Sequence, residues 1–191
     1  MKRTITIIGM AAAGLAAMPA LAQTAATEAG RDAAEQQRIE SGLQSGALST
    51  HEAGRLEREE AGVSRMETHA LANGNLSATE AARIKAAQNG VSRSIARQKH
   101  DAQTGNPASA SSRRMQADVA RDRNQQARIA QGAASGTLSG REVASLEHGQ
   151  ARDARAEANA AANGRVGTAE QGRVQGRENA QSARIFHRKH D

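Results

Sequence analysis

The sequence Ser45-Gly46-Ala47-Leu48-Ser49-Thr50-His51-Glu52 decides the architecture, because variants of it occur four times in the chain. The other copies read NGNLSATE, SGTLSGRE and NGRVGTAE, and they begin at Asn73, Ser135 and Asn163. The shared Gly favours the left-handed conformation found just past a helix end. The small residue three places before the Glu predicts a capping box. Each copy therefore predicts the end of one helix and the start of the next.

A duplication organises the rest of the chain. Residues 36–101 align with residues 126–191 at a constant offset of 90, with 26 identical residues in 66 positions. Within each copy the turns recur after 28 residues, which leaves room for one helix between them. The sequence therefore predicts an all-α fold of two duplicated three-helix antiparallel units joined by a short linker, arranged as small bundles or as an elongated helical array. The predicted helices span about 26–44, 49–72, 77–103, 112–134, 139–162 and 168–190.

The first 22 residues have the pattern of a secretory signal peptide. Lys2 and Arg3 precede an apolar run, and Ala20-Leu21-Ala22 forms a small-x-small cleavage site. We expect cleavage near Ala22 and a periplasmic or secreted protein. The remaining chain then divides into unit 1 (23–104), a linker (105–110) and unit 2 (111–191). No later segment has the hydropathy of a transmembrane segment.

The composition predicts a thin apolar core and a charged surface. Phe186 is the one aromatic residue, and the chain has no Cys. The apolar residues of the second helix form a narrow stripe, Leu56, Val63, Met66 and Ala70. The net charge of +6 falls to +4 without Lys2 and Arg3. Because Arg alternates with Glu and Asp, we expect a solvated mixed-charge surface, and the export signal argues against nucleic acid as a partner.

No motif for enzymatic catalysis occurs in the sequence. His51-Glu52 lacks the second His of a zinc-protease motif, and no nucleophile elbow or P-loop is present. We therefore expect a protein that is not an enzyme.

The turns offer one set of candidate metal ligands. They resemble degenerate EF-hand loops in the position of the Gly, the aliphatic residue and the final Glu. The resemblance implies weak Ca²⁺ binding at most, because the first and third ligand positions carry no carboxylate in any copy. The candidate ligands are Glu52, Glu80, Glu142 and Glu170.

A second set of candidate ligands lies at the C-terminus. Lys-His-Asp ends both copies, at 99–101 and 189–191, and a further His occurs at position 187. Basic residues there complement the helix dipole. The alternative is a weak site for Cu²⁺, Zn²⁺ or Ni²⁺ formed by His187, His190 and Asp191.

The signal peptide, the repeated turns and the Lys-His-Asp ends together resemble a group of secreted proteobacterial helical-repeat proteins. The resemblance implies a periplasmic location and no particular activity. Our first hypothesis is a non-enzymatic protein that acts through interaction or envelope stress protection, with an envelope protein or an anionic polymer as partner. The alternative is a periplasmic protein that binds divalent metals through the turns or the histidines.

Overall fold

The computed structural model describes the backbone of residues 20–191 and the side chains of residues 24–191. It contains six helices and no strand in this range, which confirms the all-α prediction. Most of the signal peptide predicted at residues 1–22 lies outside the described residues, and the first helix begins within the proposed cleavage sequence. The helices are α1 (Ala20–Ser45), α2 (Thr50–Ala70), α3 (Ala78–Lys99), α4 (Ala110–Ser135), α5 (Gly140–Ala160) and α6 (Thr168–His190).

The four turns have the predicted conformation. Gly46, Gly74, Gly136 and Gly164 all have positive φ, between 74° and 86°. Three of the following helices begin with a complete capping box, in which a Ser hydroxyl and a Glu carboxylate each accept a hydrogen bond from the other residue's backbone. The fourth of these helices, α6, has Gly167 at the cap position, and this residue has no side chain that could accept a hydrogen bond. The aliphatic residue before each cap is buried, as expected for a hydrophobic staple: Leu48, Leu76, Leu138 and Val166.

The two units pack against each other through their first two helices, α1 and α2 against α4 and α5. The most extensive interfaces join α1 to α4 and α2 to α5, so each helix of these pairs contacts its own counterpart in the other copy. A Cβ added at Gly54, near the start of α2, would lie 2.5 Å from the Cβ of Ala161, just past the end of α5, so these helices run antiparallel. The sequence did not predict these interfaces between the units.

The linker between the units is also packed onto the fold. Gly105 donates a backbone hydrogen bond to the Gly46 carbonyl at 2.8 Å. At the start of α4, the Ser111 hydroxyl accepts from the Val166 backbone N–H at 2.8 Å. The linker and the start of α4 are therefore fixed between the first and fourth turns.

One apolar cluster includes residues from all six helices. Leu56, Val63 and Ala70 of the predicted α2 stripe are buried, but Met66 is 39% exposed. Among the described residues, no helix has the length and apolarity needed to cross a membrane.

The glycines provide a test of the α2–α5 interface. Gly54→Ala should destabilise the protein by about 1–3 kcal/mol, because the new methyl group would overlap Ala161. Gly90→Ala is the matched control, since a Cβ on Gly90 of α3 meets no atom within 4 Å. It should stabilise the fold by up to about 1 kcal/mol through helix propensity. Urea denaturation of both variants measures these changes, and equal effects of the same sign would contradict the described packing.

Candidate functional site: buried carboxylate clusters

The glutamates of the turns are used as helix caps. Glu52, Glu80, Glu142 and Glu170 each accept a hydrogen bond from the backbone N–H of their cap residue, at 2.8–2.9 Å. This bond and the cap hydroxyl lower the pKa of Glu80 and Glu142, because both stabilise the charged form. Each of these glutamates lies at a different turn. Their role as Ca²⁺ ligands stays a prediction.

The C-terminal residues form local contacts at the end of α6. The His190 ring nitrogen Nδ1 lies 2.7 Å from the Phe186 carbonyl oxygen, and the two rings stack with centroids 4.3 Å apart. The Asp191 backbone N–H donates to the His187 carbonyl. Metal binding by His187, His190 and Asp191 likewise stays a prediction.

The unexpected feature is a set of buried acidic side chains. Thirteen carboxylates are buried among the residues whose side chains are described, whereas no Lys, Arg or His in that range is buried. The expectation that charged residues lie on a solvated surface is therefore wrong for these acids. They are Asp32, Glu35, Glu40, Glu52, Glu57, Glu60, Glu67, Asp118, Asp122, Glu147, Asp153, Glu157 and Glu178.

Six of these acids form two compact clusters. Site 1 consists of Asp32 from α1, Glu67 from α2 and Glu147 from α5. In each cluster one carboxylate oxygen per residue lies within 4.8 Å of the others, and every side chain is at most 2% exposed. Site 2 consists of Glu57 from α2, Asp122 from α4 and Glu157 from α5.

The two sites are equivalent by the internal duplication. Adding 90 to Asp32 and Glu67 gives Asp122 and Glu157, and subtracting 90 from Glu147 gives Glu57. Site 1 takes two acids from the first copy and one from the second, and site 2 takes the equivalent acids with the copies exchanged. An approximate two-fold axis between α2 and α5 produces this relation. Both helices therefore contribute one carboxylate to each site.

Amide side chains provide the hydrogen bonds to these sites. Gln88 Nε2 donates to Asp32 Oδ1 at 2.7 Å in site 1. Gln36 Nε2 donates to Glu57 Oε2 at 2.9 Å, and the equivalent Gln126 Nε2 donates to Glu147 Oε2 at 3.1 Å. The bonds of Gln36 and Gln126 repeat with the duplication, whereas the bond of Gln88 does not, because Glu178 occupies the equivalent position.

These amides leave many carboxylate oxygens without a donor. Each of the six acids has at least one buried oxygen with no hydrogen-bond partner, and both oxygens of Glu157 lack one. None of the six lies in a salt bridge of the described side chains. A buried carboxylate without a partner is costly, so these oxygens require a proton or a cation.

Burial shifts the proton affinity of these acids upward. It raises the pKa of Asp32 to about 8, with a further contribution from the negative charge of Glu147. It raises the pKa of Glu57 and of Glu147 to about 7. The pKa values of the remaining three acids are raised well above normal by burial and by neighbouring carboxylates: Glu67, Asp122 and Glu157.

A hard, multivalent cation matches this donor set. Three carboxylates supply up to six oxygen ligands and three negative charges, which suits Ca²⁺, Mn²⁺ or a trivalent ion of similar size. Mutual repulsion of ionised carboxylates at 4.8 Å is about 3 kcal/mol per pair at an effective dielectric of 20. A bound cation would replace this repulsion with attraction and would join α1 or α4 to the α2–α5 pair.

A sequence signal for these sites existed in the duplicated helices. Glu57, Glu60, Ser64 and Glu67 follow spacings of three, four and three, which place them on one face of α2. The equivalent face of α5 keeps Glu at positions 147 and 157. Acidic residues are normally exposed, so the sequence alone indicates a surface position for this face, although it lies next to the apolar stripe.

Comparison with protein-family models, curated proteins and solved structures found no match to this chain.

In the absence of a bound cation, the stability of the fold should depend on pH. The pKa values of Glu57 and Glu147 are about 7 in the fold and near 4.5 in an unfolded chain. The stability that the protonated forms of these two glutamates contribute to the fold is thus fully present below about pH 4.5 and is lost as the pH rises through 7. The chain in a chelator should melt at a lower temperature at pH 8 than at pH 5.

The double variant Glu57→Gln, Glu147→Gln tests the source of this effect. A Gln carbonyl still accepts the bond from Gln36 or Gln126, but it cannot ionise. The variant should be more stable than wild type at pH 8 and should lose part of the pH dependence. A wild-type chain that is equally stable at pH 5 and pH 8 in chelator would contradict the assignment.

Proposed function

We propose that this chain is a non-enzymatic metal-binding protein that holds hard, multivalent cations in sites 1 and 2. The observation that supports it is the pair of three-carboxylate clusters, buried without any basic partner and repeated by the duplication. The turns and the C-terminal histidines are the metal sites that the sequence predicts. The buried acids give metal binding a stronger basis.

The chemistry of the ligands defines the class of metal. Both clusters offer oxygen donors alone, whereas Cu²⁺, Zn²⁺ and Ni²⁺ bind preferentially to sites with imidazole or thiolate. The proposed bound ions are therefore Ca²⁺, Mn²⁺ or a trivalent cation. Mg²⁺ is less suited, since it retains several waters and these side chains are at most 2% exposed.

The proposed role is storage, buffering or metal-dependent folding, with no chemical reaction. Full burial of the six ligands supports this, because a catalytic metal needs an open position for water or substrate. The predicted signal peptide would place this activity in the periplasm or outside the cell. Envelope stress protection is compatible with such a role.

Metal binding should raise the melting temperature of the full-length chain. An ion at 100 times its Kd stabilises the fold by about 2.7 kcal/mol per site. For a chain of this size this corresponds to about 5–10 °C per site. Circular dichroism melts in chelator, and after addition of Ca²⁺, Mn²⁺ or Tb³⁺ at pH 7.5, measure the shift.

Variants separate this proposal from binding at the turns. The double variant Glu67→Gln, Glu157→Gln replaces one carboxylate in each site by a neutral amide and should abolish most of the metal-induced rise in melting temperature. Without metal, the variant should melt at a higher temperature than the wild type. Glu80→Gln is the control, because Gln also completes a capping box and Glu80 lies at a turn. The proposal is wrong if none of the three ions changes the melting temperature of the wild type, or if Glu80→Gln removes the shift.

A further inference from the structure

The two halves differ in the side chains that surround the equivalent aspartates, Asp32 and Asp122. Asp32 belongs to site 1 and also to a second cluster, with Glu35 of α1 and Glu60 of α2. The ligand oxygens of this second cluster also lie within 4.8 Å of one another. In the other half, Gln125 and Gln150 occupy the positions equivalent to Glu35 and Glu60. The duplication thus keeps the size of these side chains and changes their charge.

The additional glutamates have unpartnered buried oxygens. Glu35 is 3% exposed and neither of its oxygens has a hydrogen-bond partner, and Glu60 is 4% exposed with Oε1 unpartnered. Arg31 Nε approaches Glu35 Oε1 at 3.5 Å, and it is the one basic group paired with this cluster in the described salt bridges. At that distance the ion pair is not a hydrogen bond. The cluster therefore has ligand atoms available to a cation.

We infer that two cations bind around Asp32 and share it as a bridging ligand, whereas one cation binds at the equivalent Asp122. This inference rests on the proposed function and specifies its stoichiometry. The first cation would be bound by Asp32, Glu67 and Glu147, and the second by Asp32, Glu35 and Glu60. The third would be bound by site 2.

The charges support this difference between the halves. Asp32 and the four glutamates of its two clusters supply five carboxylates, which is enough to neutralise two divalent cations with one negative charge left over. A carboxylate has two oxygens and can ligate two adjacent cations, and such pairs occur in proteins at about 3.5–4 Å. Gln125 and Gln150 are neutral, and Glu178, which takes the place of Gln88, is paired with Arg121 at 3.1 Å. The described residues around Asp122 therefore form no second three-carboxylate cluster.

The hydrogen bonds of the glutamines agree with this assignment. Gln125 Nε2 donates to the Glu178 carbonyl and to the Ser182 hydroxyl, both at 3.0 Å, so its amide is engaged with α6. Glu35 has no corresponding donor group. The positions equivalent to Glu35 and Glu60 thus carry neutral amides, and the amide of Gln125 is already hydrogen-bonded to α6. A site equivalent to that of the second cation is therefore absent there.

Calorimetric titration of the metal-free full chain with Mn²⁺ tests the stoichiometry. Wild type should bind three ions, and Glu35→Gln with Glu60→Gln should bind two, since these changes copy the residues of the second half. The sharpest comparison uses equivalent positions: Asp32→Asn should leave one ion, whereas Asp122→Asn should leave two. Glu40→Gln is the control and should leave three, because Glu40 is a buried α1 glutamate that pairs with Arg123 outside the clusters.

Electron paramagnetic resonance provides a second measurement on the same samples. Two Mn²⁺ ions bridged by a carboxylate couple magnetically, so loaded wild type should give an exchange-coupled signal that Glu35→Gln with Glu60→Gln abolishes. Circular dichroism confirms that each variant is helical. If wild type binds two uncoupled ions and Asp32→Asn and Asp122→Asn each lose one, the inference is wrong and the proposed function stands. If wild type binds no Mn²⁺, Ca²⁺ or Tb³⁺, both are wrong.

Discussion

The burial of acidic side chains without basic partners is the constraint on which the rest of this structure depends. Residues on the inner faces of α1, α2, α4 and α5 that would normally be apolar include Asp and Glu, and the Arg residues lie outside. Such an interior is stable only when its negative charge is neutralised by protons or cations. The apolar cluster consists mostly of Leu, Ile and Val side chains, and their burial offsets part of that cost.

The duplication solves a geometric problem for such sites. Sites 1 and 2 each take their three carboxylates from three different helices, and these helices belong to both units. Antiparallel pairing of α2 with α5 brings Glu57 to Glu157 and Glu67 to Glu147, so one interface completes two sites. The same pairing completes both sites, because neither half by itself supplies all three carboxylates of site 1 or of site 2.

The difference between the halves shows how a duplicated site can change. Substitution of a carboxylate by an amide, as between Glu35 and Gln125, keeps the volume and removes the charge. The amide of Gln125 also gains hydrogen bonds to α6 that a carboxylate could not donate. A pair of equivalent sites can in this way acquire different capacities without a change of fold.

The sequence by itself determined the local structure: the four turns, the six helices, the capping boxes and the offset of 90 residues. These follow from interactions between residues close in the chain, such as Ser49 with Glu52, and from the backbone freedom of Gly. The tertiary structure decided which helix faces meet and therefore which acids are buried. Helical periodicity places Glu57 and Glu67 on one face of α2, but it does not state that this face contacts α5. The partner acids lie 80–100 residues away in the chain, and only the packing of the two copies brings them together.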